Sequence, residues 1–346
     1  MRAVVFNDLG SVRVADVPMP SIQEPGDAVV RVRLTAICGS DLHFVHGKAP
    51  MERGDQMGHE AVGVVEAVDE GVNRFEVGDR VVVAFDIACG SCWFCRKGQS
   101  QLCDEFRNLG AGAFGGGLPG AQAEFVRIPA ADVNLLRVPD GVDDEHALFV
   151  GDVLTTGVYA AAISEIEPDD VVAVIGSGPV GFFCARAAKA FGASRVFAVE
   201  RDARRLALAE AAGAIPVDVT RQHPQTALSE ETDGRGADVV IEAVGAPDAF
   251  ETAVGVARRG GRVVVVGMYA GESVDIQLGV YWARALTVRF AGICPVHAWW
   301  ERAMREVATG RIDPVPIISH RLPLEDAPKG YELFDSREAT KVVLVP

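Results

Sequence analysis

Residues 171–181 read V-V-A-V-I-G-S-G-P-V-G. Five consecutive apolar residues suit a parallel strand buried on both faces. Gly176, Gly178 and Gly181 follow at G-x-G-x-x-G spacing, and an alanine-rich segment then runs to Ala190 before Gly192 ends it. That glycine spacing means little in isolation, but between a strand and a helix it specifies a dinucleotide-binding turn. Gly176 permits the tight turn, Gly178 lets a pyrophosphate approach, and Gly181 lets helix and strand pack closely. Pro179 is tolerated at the helix start, and Val180 completes the turn. The first amides of the helix then face the phosphates.

Downstream, the next strand, Arg195–Val199, ends in Glu200, 24 residues after Gly176. A carboxylate there hydrogen-bonds the adenosine ribose hydroxyls and repels a 2′-phosphate, which selects NAD over NADP. Arg201 beside it reads either as a phosphate acceptor or as a solvated residue at a helix start. Helix Ala203–Ala212, strand Asp238–Ala243, helix Ala249–Ala257, strand Arg262–Val266 and strand Leu286–Ala291 continue the alternation. It predicts a doubly wound parallel sheet over residues 154–292. From Ile293 the rhythm breaks. A helix around Trp299–Ala308, proline-broken segments, a short helix through Tyr331 and a strand, Lys341–Val345, are expected to return to the first domain.

Upstream, Arg2–Phe6, Ala28–Ile37, Ala61–Val68 and Arg80–Phe85 are short Val- and Ile-rich runs separated by turn signals. They predict a small barrel or sandwich for residues 1–153. Cys38 falls where one strand ends and His59 just before another begins, 21 positions later. Thiolate and imidazole are the donors Zn²⁺ prefers, although a buried cysteine and a core histidine would look the same. Ser40 and His43 follow Cys38 closely, a hydroxyl and an imidazole of the kind a proton relay uses.

Cys89, Cys92, Cys95 and Cys103 give C-x2-C-x2-C-x7-C within a lobe spanning residues 86–105. Four thiolates so close suit a closed, structural zinc site. An iron–sulfur run would continue x3-C-P, whereas the last gap here is seven residues and Asp104 follows Cys103. A DNA-reading finger would need a basic helix after the cysteines. Arg96 and Lys97 either offset the thiolate charge or are plain surface charge. The glycine-rich stretch Asn108–Gly120 lacks a strand–turn–helix context and reads as a mobile loop, not a phosphate cradle. Asp152 has two readings: N-cap of a helix over Val153–Ile163, or a third zinc ligand that leaves the site neutral yet Lewis-acidic.

The chain has 346 residues, enough for about two domains, and 33 basic against 48 acidic residues, net charge −15. That excess opposes a nucleic-acid partner. Met1–Phe6 reads as a strand and not a signal peptide, and no apolar run reaches the length of a membrane span. A cytoplasmic protein without a membrane partner is expected. Seven cysteines, four of them clustered, then suggest metal rather than disulfides.

Taken together, C-G-S-D-L-H at Cys38–His43, G-H-E at Gly58–Glu60, the four-cysteine lobe, G-S-G-P-V-G and the K-V-V-L-V-P ending resemble the zinc-dependent medium-chain alcohol dehydrogenase family. The resemblance covers the whole chain, with each motif in the family's order. It implies a GroES-like catalytic domain (residues 1–153 and 293–346), a Rossmann domain and a cleft between them. It carries catalytic zinc onto Cys38, His59 and Asp152 and places a carboxylate that binds or backs up the metal at Glu60. Ser40 and His43 match a proton relay, and Phe85 matches a substrate-pocket wall or, read more plainly, a core aromatic. Asp152 departs from members with a third-ligand cysteine and agrees with a bacterial subset. The lobe and G-A-Q-A-E-F at Gly120–Phe125 look more like the formaldehyde-dehydrogenase-like branch, which does not establish formaldehyde as the substrate. The implied activity is hydride transfer between an alcohol and NAD, with one catalytic and one structural zinc, a small alcohol or aldehyde substrate and a homodimer or homotetramer. The alternatives are a polyol- or threonine-type dehydrogenase, or a non-catalytic nucleotide or redox sensor on the same fold.

Overall fold

A computed structural model describes residues 1–269 and 273–346. The chain divides into two compact units, Met1–Thr155 with Pro295–Pro346, and Thr156–Cys294.

The first unit is built on a seven-stranded sheet. His320–Pro323, Val342–Val345, Ala28–Ile37, Glu60–Val68, Arg80–Val83 and Leu135–Arg137 are neighbours in that order, and Phe125–Ile128 adds to Ala28–Ile37. The C-terminal strand Val342–Val345 therefore lies antiparallel to a strand from the start of the chain. Val30, Val32, Val65, Val81 and Val83 alternate into one buried cluster, the two-residue period of strands with one face on a core.

Ala28–Ile37 and Glu60–Val68 are antiparallel, with Ala36 opposite Glu60. This register sets the end of one strand beside the start of the other, so Cys38 and His59 become neighbours. Sequence periodicity alone does not reveal the helix that follows, Gly39–Val45, with Cys38 at its N-cap. Asp41, its third residue, accepts the Cys38 amide hydrogen (2.9 Å), the carboxylate half of a capping box.

Val133–Val138 reads as a strand from its apolar residues, but the structure has a helical turn, Ala131–Asn134, followed by a shorter strand, Leu135–Arg137. The Asn134 side chain donates to the carbonyls of Ala88, Pro129 and Ala130, and these bonds hold the turn against strand propensity. The glycine-rich loop packs through buried Leu109, Ala111 and Leu118. A Cβ on Gly110 would lie 2.4 Å from Gly58 O, and one on Gly120 would lie 2.1 Å from Met57 O. The glycines therefore let loop backbone lie directly on the backbone before His59.

The second unit is a six-stranded parallel sheet. Its order is Ile215–Asp218, Arg195–Glu200, Val171–Ile175, Ala237–Glu242, Ala257–Val265 and Thr287–Phe290. The reversal of order falls beside Val171–Ile175, the switch point where doubly wound sheets bind ligands. Strand Ile215–Asp218 and helices Pro224–Glu231 and Leu278–Ala283 carry too little periodicity to be read from sequence. Among the described residues no single helix is long and apolar enough to cross a membrane; a bent pair, Asp144–Gly151 with Val153–Ile163, passes on length and composition only.

Candidate active site

One thiol, one imidazole and two carboxylates meet at the strand ends of the first unit. Donor atoms of Cys38, His59, Glu60 and Asp152 all lie within 4.8 Å of one another. Cys38 Sγ is 3.7 Å from Asp152 Oδ2, and His59 Nε2 is 3.3 Å from the same oxygen. Asp152 follows the tight turn Leu148–Gly151. A Cβ on Gly151 would stand 2.1 Å from Val83 O, so only glycine lets this turn press on the sheet and aim Asp152 at the cluster. Ser40 Oγ is 3.3 Å from His59 Nε2. His43 lies three residues further along the same helix, a spacing that puts the two on one face. The Phe85 ring stands edge-on to His59, centroids 6.3 Å apart.

Three residues that motif spacing did not single out complete the cluster. Asp41 Oδ1 lies 3.3 Å from His59 Nδ1 and has no hydrogen-bond partner of its own, so the imidazole is its nearest candidate, the kind of carboxylate–imidazole contact that orients a metal-ligating histidine. Gln122 Nε2 donates to Asp41 Oδ2 at 3.2 Å. Lys341 Nζ donates to Glu60 Oε1 at 2.7 Å, with both side chains fully buried. Asp41 stood inside the quoted C-G-S-D-L-H, and Lys341 opens K-V-V-L-V-P. Their acidic and basic types were the available signal, but their partners lie far away in sequence.

The electrostatics suit a cation. Burial pushes the Glu60 carboxyl up to about 7 although Lys341 pulls the other way, and Glu60 Oε2 is buried without a hydrogen-bond partner. Burial also raises the Cys38 thiol. For Asp152, burial acts upward, but bonding to His59 and the nearby Lys341 charge leave the group below its ordinary value. A soft thiolate, an imidazole and carboxylates around an orphaned oxygen are a donor set for Zn²⁺.

The lobe forms a second, separate cluster. The sulfurs of Cys89, Cys92, Cys95 and Cys103 lie within 4.8 Å of one another, and all are free thiols. Backbone amides point at them: Cys92 N to Cys89 Sγ and Cys95 N to Cys92 Sγ at 3.4 Å, Cys89 N and Glu105 N to Cys103 Sγ at 3.3 Å. For Cys89, burial acts upward, but bonds from Ser91 and Cys92 bring the thiol down to about 6. Burial and neighbouring thiols push Cys95 and Cys103 up. Four such groups ionise together only around a cation, and a closed four-sulfur set fits a structural zinc. Arg96 donates to the Ser91 carbonyl at the surface, and Lys97 lies over the exposed Trp93 ring.

In the second unit, Gly176 has φ +87°, and a Cβ on Gly181 would stand 1.9 Å from Gly176 O. Helix Pro179–Ala190 begins there with Pro179 in its first turn. Glu200 Oε2 accepts from Ser177 N (3.0 Å), and Oε1 accepts from Arg201 N (2.7 Å) and Asp202 N (3.2 Å). The Arg201 guanidinium sits 3.7 Å from Asp248. This cradle fits the pyrophosphate and ribose of a dinucleotide.

Known proteins are similar in sequence and in fold. The family profile "Alcohol dehydrogenase GroES-like domain" matches residues 24–140, and "Zinc-binding dehydrogenase" matches residues 179–309. A zinc-type alcohol dehydrogenase-like protein of Bacillus subtilis is 37% identical over 380 aligned residues, covering 100% of both chains. The solved alcohol dehydrogenase TADH of Thermus sp. ATN1 superposes with a TM-score of 0.97 at 44% identity, covering 100% of this chain and 99% of that one. A zinc-binding dehydrogenase structure from Sinorhizobium meliloti, bound to NADP, superposes at 0.89 with 30% identity, covering 100% of this chain and 99% of that one. These relatives do not favour the non-catalytic sensor. With both halves matched and donor sets present for a catalytic and a structural zinc, the chain belongs to the zinc-dependent medium-chain alcohol dehydrogenases and is an oxidoreductase acting on an alcohol or aldehyde with a nicotinamide cofactor.

Proposed function

We propose that Cys38, His59 and Asp152 hold the catalytic zinc, with Glu60 as an exchangeable donor, and that Cys89, Cys92, Cys95 and Cys103 hold the structural one. The convergence of thiol, imidazole and two carboxylates within 4.8 Å carries the reading. When bound, zinc supplies a Lewis acid that makes an alcohol hydroxyl acidic, and the nicotinamide supplies the hydride acceptor. Ser40 Oγ, beside His59 Nε2, takes the hydroxyl proton and His43 receives it further along the helix. Phe85, against the His59 ring, walls the carbon side of the substrate.

Gly176, Gly178, Pro179, Val180 and Gly181 seat the pyrophosphate, and Glu200 selects NAD, with Arg201 drawn off by Asp248. The nucleotide domain spans 154–292 as an insertion in the catalytic domain. The substrate is a small alcohol or aldehyde, the chain falls in the formaldehyde-dehydrogenase-like branch, and the enzyme works in the cytoplasm. It assembles as a homodimer or homotetramer. Among the described residues strand Thr287–Phe290 is an edge of its sheet; Phe290 within it is 64% exposed, and Leu278 and Trp282 in the preceding helix are 75% and 85% exposed. An unpaired edge with large apolar neighbours favours pairing with a second copy.

Asp152→Asn tests the ligand set, because asparagine caps a helix about as well as aspartate and only the charge changes. Metal analysis with steady-state kinetics should show loss of about half the total zinc and a large drop in turnover. Full zinc and normal rates would overturn the ligand role and leave Glu60 as third ligand.

A further inference from the structure

Gln122 and Tyr331 lie 209 residues apart, and neither belongs to a ligand set. Gln122 is fully buried, so each polar atom of its amide needs a partner. Nε2 lies 3.1 Å from Ala36 O and 3.2 Å from Asp41 Oδ2. Both are acceptors that only an N–H can serve, which fixes the orientation of the amide. The amide oxygen therefore faces the other way, where the Tyr331 hydroxyl donates to it at 2.9 Å.

The consequence runs through Asp41. Its Oδ2 accepts twice, from Gln122 Nε2 and from the Cys38 backbone amide at 2.9 Å. That turns Oδ1 toward His59 Nδ1, 3.3 Å away. The contact is an ion-pair distance and not a formed hydrogen bond; a proton on Nδ1 would face this otherwise unpartnered oxygen and leave the Nε2 lone pair for the donor cluster. The Gln122 stem also supports the ligand loop directly, since a Cβ on Gly58 would lie 2.3 Å from Gln122 Cγ. One carboxylate thus holds the backbone of Cys38 and the ring of His59, and one amide holds that carboxylate.

We infer that Gln122, locked in one orientation by the Tyr331 hydroxyl, is a positioning residue for the catalytic metal, acting through Asp41 on Cys38 and His59. The inference rests on the reading that Cys38 and His59 bind that metal.

The test uses the whole enzyme with Co²⁺ in place of zinc, read by its visible spectrum and by the rate at which a chelator removes each metal. Gln122→Met keeps the volume and loses the hydrogen bonds. It should shift the catalytic-site bands and speed loss of that metal by about tenfold or more, with the four-cysteine metal unchanged. Gln122→Glu is the closer match in shape but turns an acceptor toward Asp41. It should be worse than Gln122→Met, the reverse of what packing alone would give. Tyr331→Phe, which keeps the ring, should speed loss several-fold, and it carries the test should the Gln122 variants not fold. Native spectra and release rates in the folded variants would overturn the inference. A Cys38→Ser arm separates the two failures: if it retains the native catalytic-site spectrum, the ligand assignment has failed and the inference falls with it, whereas a changed Cys38→Ser spectrum beside native Gln122 variants overturns the inference alone.

Discussion

Lys341 and Glu60 form an ion pair with no solvent exposure on either side. Burial would lower the Lys341 pKa, but Glu60, Cys38 and Asp152 around it raise the group above its usual value. Removing one member of a buried pair typically costs about 3–5 kcal/mol, because the other charge is left unpaired. Lys341→Met should therefore destabilise the enzyme by that order in chemical denaturation with zinc in excess. Glu60→Gln in the same chain should recover most of the loss. Equal stability of Lys341→Met and the native chain would show that Glu60 is neutral in the fold. At the cofactor site, Glu200→Gly should move the preference from NAD toward NADP, read as the ratio of kcat/KM values. A native enzyme that already prefers NADP would mean that Arg201 and Arg205, whose Nη1 lies 3.8 Å from Glu200, outweigh the carboxylate.

Among the elements, the four-cysteine lobe has little apolar interior of its own. Trp93 is 57% exposed and Leu102 50% exposed, and its helical turns span four and three residues. So small a unit draws its folding free energy from the metal. Cys103→Ser should lose one of two zincs per chain and lower the Tm while the other zinc stays. A well-folded native protein with one zinc, or with an iron chromophore, would contradict this. Helix Gly39–Val45 works differently. It is only seven residues long, and its first turn is held by Asp41 through the Cys38 amide. The same carboxylate thus starts the helix and lies 3.3 Å from His59, so the helix start and the proposed metal site share one group.

For the whole molecule, the exposed edge Thr287–Phe290 and its apolar neighbours set the expectation for assembly. Phe290→Glu with Trp282→Glu should shift sedimentation toward the monomer while both zincs are retained. A native protein that sediments as a monomer at micromolar concentration would refute pairing through this edge.

Local chemistry in the chain was enough to determine several features. G-S-G-P-V-G after a five-residue apolar strand specified the nucleotide turn, because each glycine answers a local steric demand. The cysteine spacing specified a thiolate cluster for the same reason: its donors lie within fifteen residues. Cys38, His59 and Asp152 could be named by residue type, but their meeting depended on the Ala36–Glu60 register and on Gly151 pressed against Val83. Gln122, Tyr331 and Lys341 were out of reach for sequence alone. A buried glutamine, tyrosine or lysine becomes informative only once its partner is known, and their partners lie 81, 209 and 281 residues away. Strand register and the return of the C-terminal segment to the first sheet bring those pairs together, and only the tertiary structure decides them.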